Sequence, residues 1–282
     1  MRQVLLPRTL DELWDSLEAD PNTAVYAGGT DLLVNLRAGR INPNKLVCLE
    51  RIDQIRGVRD AGAEVFIGAA TTHTNLLEDP LVRSELSVLA KAIRVLASPA
   101  IRNMGTIGGN IVNASPAGDT LPPLYALDAE VEIVSRKEAK RMLVADFIVG
   151  PGQVQLRADE IVKGVWIRKA PEFNVHHFEK VGLRKSQACA VASLAALLRV
   201  SKDGRIESAR LAWGSVGLTA VRSAEVEEAL VGRELEIENL SQVASLVERI
   251  VSPINDVRAS AQYRRIVAGR LLLRLAESRD RT

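Results

Sequence analysis

Residues 23–37 read TAVYAGGTDLLVNLR, and the rest of the chain is best read outward from them. Thr23–Ala27 is short, apolar and β-prone. Gly28-Gly29 breaks that run, Thr30-Asp31 offers capping side chains, and Leu32–Arg37 has helical spacing, with Gly39 as a stop. Glycines between a strand and a helix let the backbone approach a ligand closely and adopt positive φ. The helix start adds unpaired N–H groups and a partial positive charge. Two readings of this passage stand side by side: a capped tight turn, or a phosphate site lined by Ala27, Gly28, Gly29, Thr30, Asp31 and Leu32.

A second glycine cluster, Gly105-Thr106-Ile107-Gly108-Gly109-Asn110, lies in Ile101–Asp119, a stretch rich in Gly, Asn, Ser and Pro. It reads as a long irregular loop, and such loops are usually functional. A double glycine between Thr106 and Asn110 is either plain loop or an anion-binding nest of N–H and side-chain donors. Asp119 closes Ser115-Pro116-Ala117-Gly118-Asp119. Its carboxylate would repel phosphate, so it either accepts from sugar hydroxyls or caps an Asx turn. Two anion-binding loops in one domain suit a diphosphate-bridged dinucleotide. Neither is a P-loop, because GxxxxGK[ST] is missing, and neither is a Rossmann fingerprint, because GxGxxG is missing.

Around these clusters the pattern predicts an α+β protein. Lys45–Leu49 is a second buried strand. Gly57–Thr71 reads as a hairpin turning at Ala61-Gly62-Ala63. Asp79 and Pro80 open a single helix whose apolar face is Val82, Leu86, Leu89, Ile93 and Leu96, ended by Ser98-Pro99. Leu124–Leu127 is a helical turn, and Glu130–Ser135, Arg141–Phe147 and Glu160–Arg168 are strands. Beyond Pro171 come strands at Asn174–Val181, Ala190–Val200 and Ile206–Gly214, the last two joined by a turn at 202–205. Helices follow at Ala224–Leu230, Leu240–Val251 and Ser260–Ser278. The change of character places a domain boundary near residue 170.

Composition narrows the function. The 282 residues are 47% hydrophobic and 26% charged, with a net charge of +2, a globular composition with no basic run to favour nucleic acid. No apolar stretch is long enough to span a membrane, no signal peptide is visible, and a cytoplasmic location is expected. Cys48 and Cys189 each sit in an apolar run and read as buried thiols; two cysteines cannot supply the ligands of an iron–sulfur cluster. His73 reads as a capping residue and His176-His177 as part of a strand, and no metal-ligand spacing is found. Neither GxSxG nor HExxH occurs. With no catalytic nucleophile or base in view, a bound cofactor is expected to carry the chemistry.

Taken together, AGGTD at 27–31, TIGGN at 106–110 and ASPAGD at 114–119 resemble the FAD subunits of molybdenum hydroxylases. These are the medium subunits of carbon monoxide dehydrogenase, bacterial xanthine dehydrogenase and related N-heterocycle dehydrogenases. The resemblance covers nearly the whole chain. It includes Pro7 with Thr9–Leu17, GAATTHTNL at 68–76, FEKVGLRKSQACAVAS at 178–193 and RASAQYRR at 258–265. Ser186 stands where many members have Ala.

The resemblance implies a two-part FAD-binding region of the vanillyl-alcohol-oxidase type over 1–170, split near 55, then a C-terminal sheet-and-helices domain over 171–282. It implies that Gly28, Gly29, Thr30, Asp31, Thr106, Gly108, Gly109 and Asn110 hold the FAD diphosphate. Ile107 would lie against the isoalloxazine ring, Asp119 on the ribityl or ribose part, and Lys185 near one end of the dinucleotide. The flavin would be non-covalent, since the AGGTD turn carries no His or Cys. No cysteine-rich insertion is present, which disfavours the branch with an extra cluster. The implied partners are a large molybdenum-cofactor subunit and a small subunit with [2Fe–2S] clusters, in a dimer of heterotrimers. Two other readings stand beside it: a stand-alone flavin oxidase acting on a small alcohol, which needs a base over the flavin, and a scaffold that has lost FAD, which the intact glycines oppose.

Overall fold

The computed structural model describes residues 2–20 and 22–281. The chain opens with a small parallel sheet in which β1 (Gln3–Leu5) and β2 (Thr23–Tyr26) flank β3 (Lys45–Cys48). Parallel neighbours need crossovers, and α1 (Leu10–Glu18) and α2 (Leu32–Arg37) supply them. Thr9 caps α1 by accepting from Glu12 N. Leu13 and Trp14 of α1 pack with Val47, Ile52 and Ile55 into a small core.

A five-stranded antiparallel sheet follows, in the order β4 (Val58–Ala61), β5 (Glu64–Gly68), β10 (Ile161–Arg168), β6 (Glu130–Val134), β7 (Ala139–Leu143). Between β5 and β6 the chain makes six helices: α3 (His73–Glu78), α4 (Pro80–Glu85), α5 (Ser87–Val95), α6 (Pro99–Met104), α7 (Ile107–Asn113) and α8 (Leu121–Ala126). After β7 come α9 (Val144–Phe147) and a two-stranded ribbon of β8 (Ile148–Gly150) and β9 (Gln153–Val154).

Two expectations about this middle region are corrected. The single helix over residues 80–96 is broken at Leu86, where the backbone turns to φ −122, ψ 41. The apolar face was read correctly, since Val82, Leu86, Leu89 and Ile93 are all fully buried. The break also buries Val88 beside them, which one straight helix carrying Leu86 on its buried face would not do. The irregular loop expected over 101–119 is largely helical. Ser98 caps α6 and Thr106 caps α7, so Ser98-Pro99 ends one helix and starts the next. Glycines inside α7 hid it from a propensity reading.

The third sheet runs β11 (Val175–Gly182), β12 (Ala190–Val200), β13 (Ile206–Gly214), β14 (Val221–Arg222), all antiparallel. It is covered by α10 (Ala224–Leu230), α11 (Ile237–Ile250) and α12 (Ala261–Leu273), with a 3-10 segment at Arg274–Arg281. Successive strand residues face opposite ways, and β12 is apolar on both. Ala195 and Leu197 join the core built on the five-stranded sheet, while Leu194, Ala196 and Leu198 join a second core with Trp213 and the helices. This double burial explains the apolar run at 190–198, interrupted only by Ser193, and it brings the tip of the β11–β12 hairpin to the edge of the cavity described next.

Candidate cofactor site

A cavity of about 600 Å³ lies where the β2–α2 turn, the α6–α7 junction, the 115–119 turn and the β11–β12 hairpin tip converge. Its volume is in the range of sites for sizeable organic ligands, about 300–1,000 Å³.

The β2–α2 turn is the donor-rich wall. Gly29 takes φ +69, and the turn closes with Leu33 N donating to Gly29 O at 3.0 Å. The backbone N–H groups of Gly28, Gly29, Thr30, Asp31 and Leu32 find no acceptor among the described residues. Neither Thr30 nor Asp31 caps the helix through its side chain; Asp31 Oδ2 accepts instead from Asn35 Nδ2 at 2.7 Å. The capped-turn reading therefore gives way to a run of unspent amides, the arrangement that binds anions.

The second cluster works differently from the expected nest. Most of its amides are spent: Ile107 N on Thr71 O, Gly108 N on Ala69 O, Gly109 N on Thr106 Oγ1 and Asn110 N on Thr106 O. Its glycines are there for close packing. A Cβ on Gly108 would sit 2.5 Å from Ala69 Cβ, and one on Gly28 would sit 1.7 Å from Met104 O. The two turns are thus pressed together, backbone on backbone. What this wall offers the cavity is side-chain polarity. Thr120 donates its hydroxyl to Asn110 Oδ1 at 2.5 Å, which leaves the Asn110 amide nitrogen as a donor.

Charge enters through Asp119. Its Oδ2 accepts from Lys180 Nζ at 2.7 Å, and Lys180 also donates to Val95 O, tying β11 to α5. Oδ1 is buried with no partner. Burial raises the Asp119 carboxyl to about 6, against the opposing pull of Lys180. Glu160, also on the wall, is held below the usual carboxylate range: burial raises it, but Lys140 and the Arg157 amide outweigh burial. Tyr26, beside Gly29, has its phenol pushed up to about 12, first by burial and then by Cys48.

Of the residues picked from sequence, Ala27, Gly28, Gly29, Thr30, Asp31, Leu32, Thr106, Gly108, Gly109, Asn110 and Asp119 all line this one cavity. Two do not. Ile107 is fully buried in the main core, because the first turn of α7 points it inward between the sheet and the helices. Lys185 is exposed on the hairpin tip, where Gln187, Ala188 and Cys189 form the wall instead. Arg184 curls back to donate to the carbonyls of Ser186 and Gln187, and Gln187 takes φ +52, which turns the chain so that residues 187–189 face the cavity. Cys189 is accordingly exposed, not buried as expected; Cys48 is buried. Sequence reasoning missed Tyr26, His73 and Lys180. His73 is the first residue of α3, behind the Thr72 cap, and not itself the cap. Only the unusual polarity of a half-buried strand could have flagged Lys180. Among the described residues no three His, Cys, Asp or Glu side chains are grouped to hold a metal ion, and no helix is long and apolar enough to cross a membrane.

The fold and cavity define a class: a two-part α+β dinucleotide-binding protein with a third sheet closing over its site. Residues 1–169 match the FAD binding domain in molybdopterin dehydrogenase, and residues 177–278 match the CO dehydrogenase flavoprotein C-terminal domain. The chain belongs to the family of FAD-binding medium subunits of molybdenum hydroxylases, and it is a component of an oxidoreductase. It is 31% identical over 259 residues to the glyceraldehyde dehydrogenase medium chain of Sulfolobus acidocaldarius, spanning 92% of this chain and 91% of that one. It is 31% identical to the nicotinate dehydrogenase FAD-subunit of Eubacterium barkeri, spanning 92% and 89%. Among solved structures, quinoline 2-oxidoreductase from Pseudomonas putida 86 superposes with a TM-score of 0.94 at 26% identity, covering 99% of this chain and 97% of that one. Carbon monoxide dehydrogenase from Hydrogenophaga pseudoflava gives 0.92 at 28%, covering 98% and 96%. The residues present fit FAD: unspent amides suit its diphosphate, and the unpartnered Asp119 oxygen suits a sugar hydroxyl.

Proposed function

We propose that this chain relays electrons within a molybdenum-cofactor hydroxylase acting on xanthine, a related N-heterocycle or an aldehyde. In this reading a large partner subunit holds the molybdenum cofactor and a small one holds [2Fe–2S] clusters, assembled as a dimer of heterotrimers. Bound FAD would supply the redox chemistry that links the clusters to an external acceptor. The chain's own residues bind and orient. The 28–32 amides take the diphosphate, Thr106 and Asn110 flank it, and Asp119, fixed by Lys180, accepts from the sugar. The chain divides near residue 170, a reading supported by the sheet boundary between β10 and β11.

Two things support a relay over direct catalysis. Relatives carry medium-chain or FAD-subunit names from dehydrogenases of unlike substrates. And the carboxylates on the wall are engaged within the chain: Asp119 and Glu160 in ion pairs, and Asp31 in a hydrogen bond from Asn35. The observation that carries the cofactor assignment is the run of five unspent amides at Gly28–Leu32. The test is the absorbance spectrum of the purified chain before and after heat release. Flavin bands and a released species behaving as FAD, not FMN, support it, with loss in Gly29→Val and weakening in Asn110→Ala. A colourless chain that takes up no FAD with its partners present refutes it.

A further inference from the structure

We propose that His73 is a hydrogen-bonding partner of the dinucleotide diphosphate, placed at the junction of the two glycine turns. The inference rests on the FAD reading above and adds a residue outside both glycine motifs.

Three observations carry it. First, α3 starts against the second turn: His73 N donates to Gly105 O at 3.0 Å, and Thr72 bridges to Thr106. The side chain is therefore anchored at its root to the backbone that shapes the cavity. Second, the imidazole reaches the seam between the turns. A Cβ built on Gly105 would lie 3.4 Å from His73 Cδ2 and 3.6 Å from Thr30 Oγ1. Ring and hydroxyl thus lie near one small volume, and Thr30 belongs to the amide-rich turn. Third, His73 lines the cavity yet is only 2% exposed, and its Nδ1 is buried with no hydrogen-bond partner. Buried polar atoms in native proteins are nearly always partnered, so an orphan nitrogen in a residue that lines a ligand cavity points to the ligand.

The electrostatics agree with this geometry. Burial, and then the charge of Arg102, hold the imidazole down to about 4, so it is neutral at physiological pH. The Arg102 guanidinium itself is spent on the Leu96 and Ala97 carbonyls at 2.7 and 3.3 Å. It therefore contributes its field without being the ligand. His73 brings one N–H and one lone pair, and a phosphate oxygen accepts from the N–H.

The test uses the full chain stripped of flavin and titrated with FAD, ADP and riboflavin. His73→Leu is expected to weaken FAD and ADP on the order of tenfold to a hundredfold, the range for a hydrogen bond to a charged group. Riboflavin, which has no phosphate, should bind unchanged. His73→Asn, which restores a donor near the Nδ1 position, should recover most of the loss. The phosphorus NMR signals of bound FAD should move in His73→Leu and return toward wild type in His73→Asn. If the leucine variant does not fold, His73→Gln decides, because it stays polar but moves its donor off the Nδ1 position: weakened ADP binding with riboflavin unchanged supports a direct contact, and ADP binding as tight as wild type overturns it. Equal losses for ADP and riboflavin, or no loss of FAD affinity, also overturn it. A wild-type chain that takes up no FAD refutes the functional reading itself, whereas binding by wild type and His73→Leu alike refutes only this inference.

Discussion

Replacing Gly28 with alanine adds one methyl group, and the structure says where it goes. The new Cβ would lie 1.7 Å from Met104 O and 2.3 Å from Met104 C, where 3.0 Å is the practical lower limit. Both obstructing atoms are backbone, so no side chain can swing aside. The β2–α2 turn and the end of α6 must part until 1.7 Å becomes at least 3.0 Å. Overpacking costs about 1–3 kcal/mol, and a backbone-on-backbone clash belongs at the top of that range. At about 2–4 °C per kcal/mol for a chain of this size, the melting midpoint should fall on the order of 6–12 °C. Cofactor affinity should fall further than stability. A shift of more than an ångström takes the 28–32 amides out of hydrogen-bond range, and each charge-assisted bond lost is worth about 1.5–3 kcal/mol. Two such losses alone amount to roughly a hundredfold or more. Gly29→Ala is the control. Gly29 holds the positive φ, but an added Cβ meets nothing nearer than 3.4 Å, so it should cost only the left-handed penalty of about 1–2 kcal/mol. Thermal melts of the stripped chain and FAD titration by fluorescence quenching measure both effects. If Gly28→Ala melts with the wild type and binds FAD as tightly, or is milder than Gly29→Ala, the close contact of the two turns is not what shapes the site.

Lys180→Met leaves the Asp119 carboxylate buried without its partner. Asp119 already titrates near 6 when folded, above its unfolded value of 3.8, so its ionisation opposes folding as pH rises through that window. Removing Lys180 raises the folded value further; the variant should lie close to wild type near pH 4 and lose about 3–5 kcal/mol by pH 8, read by urea denaturation across pH. Asp256 behaves in the opposite sense. Burial raises its carboxyl, but hydrogen bonds from Arg258, Arg264 and the Ala259 amide bring it well below the usual range. Its stabilisation is present above the unfolded value and is lost as pH falls. Asp256→Asn should therefore destabilise at neutral pH and converge with wild type on acidification, and Arg264→Met should cost toward the lower end of about 3–5 kcal/mol at pH 7, since Asp256 stays partly exposed. Finally, Cys189 is exposed on the cavity wall and Cys48 is buried. A maleimide should label Cys189 alone in the native chain, and bound FAD should slow it; labelling of Cys48 before unfolding would contradict the packing of β3.

What could be read from the sequence divides along a physical line. Segments whose fate depends on local pattern were legible: Leu32–Arg37, Ala190–Val200, Ile206–Gly214 and Ala224–Leu230 fall where periodicity puts them. The glycine turns were legible as lining one cavity, because a strand, paired glycines and a helix start make one local signal. What failed depended on long-range contact. Gly108 and Gly109 look like loop residues by propensity, yet they sit in a helix, where the glycine at 108 leaves room for Ala69, a residue far away in sequence. Ile107 was assigned to the ligand through its neighbours, but a helix sends adjacent residues to different faces, and it went to the core. Lys185 failed for a similar reason. The hairpin tip turns through Gln187, so the residues after it, not Lys185, meet the cavity. Lys180, at register with Ser193 on β11, reaches Asp119 only because the third sheet folds back over the second.

The way the site is built also bears on why a relative of 31% identity can serve glyceraldehyde and another nicotinate. The donor-rich wall consists of main-chain N–H groups, and every non-proline residue carries one. Such a wall tolerates wide side-chain change provided the turn keeps its path, and the path is kept by a few small residues. Gly28 and Gly108 clear neighbouring backbone, Gly29 takes the left-handed φ, and Thr106 caps the helix behind them. The polar side chains that remain, Asn110, Asp119 and Lys180, are held within the chain, Asn110 by Thr120 and Asp119 by Lys180. Variation in substrate can therefore accumulate in other chains without disturbing this one. Variation here is expected where side chains rather than amides form the wall, at the 183–189 hairpin tip beside Cys189. That tip borders the cavity from the third sheet and leaves Leu183 exposed, so side-chain changes can be accommodated there without moving either glycine turn.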